Sequence, residues 1–348
     1  MGWRFGLKTW GPTVVFRFVR LAQPRWVGSG QAFRWRQKMD WKTEIGSAAH
    51  RIEGHVQTTP VMRVRGFGLA FPVEIKLEQM QHTGSFKARG AFNTLLSGPI
   101  PEAGIVAASG GNHGAAAAFA ARSLGHKAAI FVPEMASPSK ISLIRRMGVN
   151  LTVVPGEYPD AMKLAREFEA ETGAMQVHAN DSPTTIVGQG TCLREWEVQG
   201  LQADTVLIAV GGGGLIAGAM AWLQGARKVV AVEPETCCAL HEALLAGEPI
   251  DVRVSGVTAD ALGARRIGEI CFDMAKKMGL HHVLVNDNAI KLAQRVLWQE
   301  RRLLIEPAGA TALAALMSRA YVPEPGERVA VLICGANIAP DPLEQQSR

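Results

Sequence analysis

Short apolar runs separated by helical patterns dominate the chain. From about Thr43 onward, runs rich in Val, Ile and Ala fall at 73–77, 105–109, 128–132, 151–154, 205–210, 229–232 and 329–334. Brief, continuously apolar runs with β-branched residues suit strands covered on both faces. Helical spacing of apolar positions follows most of them, at 90–96, 114–124, 139–147, 160–172, 215–224 and 289–300. Gly125, Gly148 and Gly173 stand where helix C-caps are expected. This alternation predicts an α/β fold with parallel sheets packed between helices. Strand–helix units crowd between Gly104 and Asn180. They predict a small lobe of 104–180 set into a larger one formed by 41–103 and 181–340. A leader of 1–40 and a polar tail of 341–348 flank these lobes.

A chain of 348 residues is long enough for two lobes or one large α/β unit. It has no uninterrupted apolar run of ~18 residues, so no membrane-spanning helix is expected. The five cysteines, Cys192, Cys237, Cys238, Cys271 and Cys334, are odd in number and scattered. They read as neither a disulfide framework nor a C-x-x-C metal site, and a reducing, cytoplasmic setting is the simplest expectation. The net charge is +6, yet residues 1–39 hold eight basic side chains and no acidic one. Setting those eight aside takes the charge from +6 to −2, so the body offers no basic footprint for nucleic acid or a membrane surface. The leader could be a transit peptide or a basic arm for a partner. Trp3, Trp10, Trp26 and Trp35 fit a transit peptide poorly, and the preferred reading is an ordered protein that begins near Met39.

Three loops carry candidate chemistry. Thr83-Gly84-Ser85-Phe86-Lys87 opens a helix. The positive end of the helix dipole and the apolar Phe86 both disfavour a charged ammonium, which suits a nucleophilic, Schiff-base lysine. A solvated helix lysine is the ordinary alternative. Ser109-Gly110-Gly111-Asn112-His113-Gly114 joins an apolar strand to an alanine-rich helix. Free backbone N–H groups there suit an anion, and Asn112 offers both a donor and an acceptor; an ordinary strand-to-helix turn uses the same residues. Gly211-Gly212-Gly213-Gly214-Leu215 follows another apolar strand and precedes a helix, the pattern of a phosphate cradle. It is not a nucleotide P-loop. Glu233 lies near the spacing of a dinucleotide-binding acid, so a dinucleotide-binding oxidoreductase stands as the rival reading. Cys334-Gly335-Ala336-Asn337 ends the last apolar run, where a thiol could meet a ligand heteroatom or simply pack.

Taken in order, "TGSFKARGA", "SGGNHG", "GGGGLIAG" and "CGAN" resemble the serine/threonine dehydratase group of fold-type II pyridoxal-phosphate enzymes, over roughly residues 58–340. The resemblance implies a tryptophan synthase β-like fold: two open parallel-sheet lobes with the active site between them. It implies that Lys87 binds pyridoxal 5'-phosphate as a Schiff base, with Phe86 against the ring and Asn112 on its phenolic oxygen. Gly211, Gly212, Gly213, Gly214 and Leu215 would hold the phosphate, and Cys334 would face the pyridine nitrogen. Ser109, Gly110 and His113 would receive the substrate carboxylate. Glu306, in "IEPAGA", matches a segment near the ring. The implied reaction is loss of water and ammonia from L-threonine, L-serine or a related substrate such as 3-hydroxyaspartate, by a homodimer.

Two departures matter. Racemases of this group carry a serine where this chain has Gly110, so little racemisation is expected. Some relatives bind a divalent cation through a glutamate and a later aspartate; Glu233 matches the first, but Ala239 stands at the second. A monovalent cation is the remaining expectation. For a second substrate carboxylate, Arg89, His82 and His113 are the nearby cationic candidates by position.

Overall fold

The computed structural model describes residues 39–338; the expectations for the leader before Met39 and for the tail lie outside them. Helix α1 (Trp41–Arg51) opens the described chain, with the Asp40 carboxylate accepting from Thr43 N. The mixed α/β fold is built on two sheets. The larger contains β1 (Val61–Val64), β2 (Val73–Leu77), β7 (Thr205–Ala209), β8 (Lys228–Pro234), β9 (His281–Val285) and β10 (Val329–Ile333), in the order β1-β2-β10-β7-β8-β9. Only the β1–β2 pair is antiparallel. The smaller contains β3 (Ile105–Ala108), β4 (Ala128–Pro133), β5 (Asn150–Val154) and β6 (Met175–Gln176), in the order β5-β4-β3-β6 and parallel throughout.

Burial explains the placement. β2, β7 and β10 are buried along their whole length, as central strands covered on both faces must be. β5, at an edge, is half exposed. Helix α2 (Lys87–Leu96) sends Ala88, Ala91, Phe92 and Leu95 into the apolar cluster around the smaller sheet, against the alanine face of α3 (Asn112–Ser123). The core around that sheet therefore also draws on residues before 104. Parallel pairing sets the carboxyl ends of β2, β10 and β7 side by side, with Ile333 level with Leu77. Ligands of open α/β sheets sit at such ends.

Candidate active site

Two tight turns follow β2, over Glu78–Met80 and His82–Gly84. Thr83 (φ 59°) and Gly84 (φ 74°) both take left-handed backbone, which swings the chain into the first turn of α2. The kink is held by β10's end: Phe86 N donates to Cys334 O (3.2 Å), and Ala336 N donates to Gly84 O (3.0 Å). Lys87 therefore stands beside Cys334. Its Nζ donates to Ala179 O at 2.7 Å and lies 5.1 Å from the centre of the Phe86 ring. Burial pushes the amine down to about 8. Burial also pushes the Cys334 thiol well up, so the sulfur stays neutral.

The glycine loop leaves β7 and enters α7 (Gly214–Leu223). A Cβ on Gly211 would approach Leu262 Cα to 2.9 Å, one on Gly213 would meet Cys271 Sγ at 2.5 Å, and one on Gly214 would meet Gln189 Oε1 at 2.5 Å. Gly213 also has φ +88°. Asn180, whose Nδ2 donates to Gly212 O at 2.7 Å, fills the space where a Gly212 side chain would go. The loop is thus bare backbone, closed from outside and opening onto the helix's first N–H groups, which have no partners within the helix. Leu215, the next residue, is buried in the core.

Asn112 begins α3, and its carboxamide is held at both ends. Nδ2 donates to Glu306 Oε1 (2.7 Å), and Oδ1 accepts from Asn337 Nδ2 (2.7 Å). Asn337 also donates to Thr83 O at 2.7 Å, tying this group to the lysine turn. Ser109 and Gly110 are half-buried at the end of β3, and Ser109 Oγ accepts from Gly111 N. A Cβ on Gly110 would strike Ala136. His113 turns inward: its Nε2 lies 2.8 Å from Val177 O. Burial lowers it to about 3, so the ring is neutral and Nε2–H donates to that carbonyl.

Arg89 is not available to a substrate. It is buried, with Nη2 2.8 Å from both Glu78 Oε1 and Glu195 Oε2, and Nε 2.8 Å from Glu78 Oε2. A long arginine near the lysine looked available by position, but its length carries it into this ion network. His82 is half-buried and packs on Phe119, ring centres 4.7 Å apart. Glu233 is fully buried at the end of β8, and its two oxygens accept from Leu240 N and His241 N, each at 2.8 Å. It caps α8 (Ala239–Ala246) and presents no free carboxylate to a ribose, which removes the acid that a dinucleotide site needs. Among the described residues no group of three or more His, Cys, Asp or Glu is arranged to hold a metal ion.

Sequence reasoning passed over Asn180, Asn337, Lys140 and the Ala179 carbonyl. Asn337 had a signal, as the last residue of "CGAN". The others sit in segments that look like ordinary loop or helix surface.

The bare-backbone cradle, the buried amine of low basicity and the neutral thiol at one sheet end fit pyridoxal phosphate: an anion site, an amine for its aldehyde and a partner for its ring nitrogen. A family model for pyridoxal-phosphate dependent enzymes matches residues 52–335, and the chain belongs to that family, in its fold-type II branch. Among curated proteins it is 35% identical to phenylserine dehydratase of Ralstonia pickettii, over 84% of this chain and 92% of the relative. It is 33% identical to an L-threonine ammonia-lyase of Geobacter sulfurreducens, over 85% and 75%. Among solved structures, maize serine racemase superposes with a TM-score of 0.83 at 28% identity, covering 88% of this chain and 96% of that one. A T.th. threonine deaminase gives 0.79 at 31%, covering 86% and 99%. Within the family, the protein is a serine/threonine dehydratase-like ammonia-lyase that uses pyridoxal phosphate.

Proposed function

We propose that the chain removes water from a small β-hydroxy-amino acid of the serine, threonine or phenylserine type and releases a 2-keto acid and ammonia. The observation that carries this reading is Lys87: a buried amine of lowered basicity beside a cradle for an anion. Pyridoxal phosphate, when bound, supplies the electron sink for breaking the substrate's Cα–H bond. Lys87 would hold the cofactor through Nζ and, once released by the substrate's amine, take the Cα proton on Nζ. The Gly211–Leu215 backbone would bind the phosphate. Asn112 would direct an N–H to the phenolic oxygen, and Phe86 would pack against the ring. Ser109, Gly110 and the N-terminus of α3 would receive the substrate carboxylate, with His113 holding the loop to Val177 from behind. A neutral Cys334 would face the ring nitrogen without protonating it, a weaker electron sink that would favour prompt loss of the β-hydroxyl. Gly110 offers no acid or base to the opposite face of Cα.

The Asn112 loop follows a strand of the smaller sheet and the glycine loop a strand of the larger, which supports, as part of the proposal, a division into a small lobe of 104–180 and a larger remainder. A homodimer in the cytoplasm is also part of the proposal; the five unpaired cysteines support a reducing compartment. No described helix is long and apolar enough to cross a membrane. A monovalent cation near Glu233 is proposed from the family resemblance, although both carboxylate oxygens already accept from α8 backbone N–H groups, and potassium titration of the activity tests it. The main test is a keto-acid assay over L-serine, L-threonine, phenylserine and 3-hydroxyaspartate, with an absorbance spectrum of the purified protein. A visible cofactor band that Lys87→Ala abolishes, with keto acid from at least one hydroxy-amino acid, is expected. A colourless protein that cannot be reconstituted overturns the reading.

A further inference from the structure

Lys140 belongs to none of the four motifs, yet its side chain is only 3% exposed. It lies on α4 (Pro138–Arg145), which packs beside the Asn112 loop: a Cβ on Gly114 would come within 3.0 Å of Ile144 Cδ1. From the small lobe it reaches two carboxylates of the large one. Its Nζ is 2.5 Å from Asp260 Oδ2 and 3.7 Å from Glu306 Oε2. Asp260 sits in the short helix α9 (Ala259–Leu262), whose backbone faces Gly111 on one side and Gly211 on the other. Glu306 precedes α12 (Pro307–Met317) and is buried.

These contacts form a relay: Asp260, Lys140, Glu306, Asn112, Asn337. Glu306 has one oxygen on Asn112 Nδ2, while the other has no hydrogen bond and lies 3.7 Å from Lys140 Nζ. The charged or titratable groups facing Glu306 are Lys140 from α4, Asp260 from α9 and Cys334 from the end of β10. An ionised Glu306 only accepts, so it pins the Asn112 carboxamide with Nδ2 towards itself. A protonated Glu306 can also donate, so from this side the orientation is no longer enforced and rests on Asn337 Nδ2, which donates to Asn112 Oδ1.

We propose that Lys140 is a positioning residue for the cofactor: by meeting Glu306 across the two lobes it keeps that carboxylate charged, and the charged carboxylate fixes the Asn112 carboxamide with its second N–H turned to the cofactor's phenolic oxygen. This rests on the role given to Asn112 above. Asp260 opposes Lys140 in the relay, because it shares the cation and adds negative charge. The electrostatics run the same way: burial raises Glu306, Lys140 and the Asn112 hydrogen bond lower it, and Asp260 raises it, leaving it at about 7. The relay also exists only while the lobes are together, so closure and cofactor alignment are coupled.

The test is a pH titration of the cofactor's absorbance in the holoenzyme, with pyridoxal phosphate affinity measured by equilibrium dialysis. Lys140→Met should move the Glu306-linked midpoint up by about one pH unit or more, since an opposite charge within reach typically shifts a carboxylate that far. Affinity should fall with it, and Lys140→Arg should restore both. Asp260→Asn, at a 42% exposed side chain that tolerates change, should move the midpoint down. Glu306→Gln should abolish the transition, and Lys140→Met should then add nothing to it. A structural role for Lys140 would shift K140M and D260N in the same direction, or add to E306Q; either result overturns the proposal, as does a wild-type titration in K140M. A wild-type protein without a cofactor band would instead overturn the functional reading itself.

Discussion

Lys87 is the sharpest quantitative claim of the structure. Its amine falls from 10.5 to about 8 because it is buried. At pH 7 roughly one amine in ten is then neutral, against roughly one in 3,000 for an unshifted lysine, a gain of ~300-fold in nucleophile. The assay is stopped-flow mixing of apoenzyme with pyridoxal phosphate, following the visible absorbance of attached cofactor from pH 6 to 10. Free Nα-acetyl-lysine serves as the control for the aldehyde's own ionisations. After that correction the rate should climb about tenfold per pH unit to pH ~8 and then level. A rate that keeps climbing through pH 10, as in the control, refutes the shift. The same shift has a stability consequence. A basic group whose folded pKa is depressed opposes folding below that pKa, and the opposition fades as pH rises from about 8 to 10.5. Its upper limit is about 3 kcal/mol, from ~1.4 kcal/mol per pH unit. Apo Lys87→Met should therefore be more stable than wild type at pH 7 and should lose the rise in stability between pH 8 and 10.5 that wild type shows in urea titrations.

Wild-type enzyme should yield almost no D-serine from L-serine by chiral chromatography; Gly110→Ser should not create a racemase cheaply, because its Cβ strikes Ala136, and a loss of ~1–3 kcal/mol should be recovered by adding Ala136→Gly. Gly213→Ala combines a left-handed backbone with a clash on Cys271 Sγ, so pyridoxal phosphate should bind at least ~10-fold more weakly by dialysis; wild-type affinity would rule the loop out as the phosphate cradle. Arg89→Leu leaves Glu78 buried without its guanidinium and should cost about 3–5 kcal/mol in urea unfolding. Arg89→Lys should leave the ratio of rates on serine and 3-hydroxyaspartate unchanged, and a selective loss on the diacid would return Arg89 to the substrate site.

What the sequence disclosed and what it hid divide along one physical line. Fully buried central strands show as continuous apolar runs, so β2, β7 and β10 were legible to within a residue. The edge strands β1 and β9 carry Arg63, His281 and His282 and are only partly covered, so no such run marks them. The helix α6 (Pro183–Val198) and α12 were missed for the opposite reason: nearly every side of them is buried, which erases the 3.6-residue alternation of apolar and polar positions. The site divides the same way. Glycine loops at strand ends are local signals, because an anion cradle needs bare backbone at one point in the chain. Asn180 and Lys140 act on those loops from elsewhere in the fold, and each looks like an ordinary polar residue until folding sets it against Gly212 or Asp260; Glu306 was marked only by the family resemblance of its segment, and its partner Asn112 shows only in the fold. Arg89 shows the error that proximity in sequence invites. Two residues from Lys87 on a helix is about 200° around the axis, so Arg89 turns into the Glu78–Glu195 ion network while Lys87 turns to Ala179 O. Local motifs therefore report the chemistry that a loop can perform, and only the packed structure reports which charges hold that loop in place.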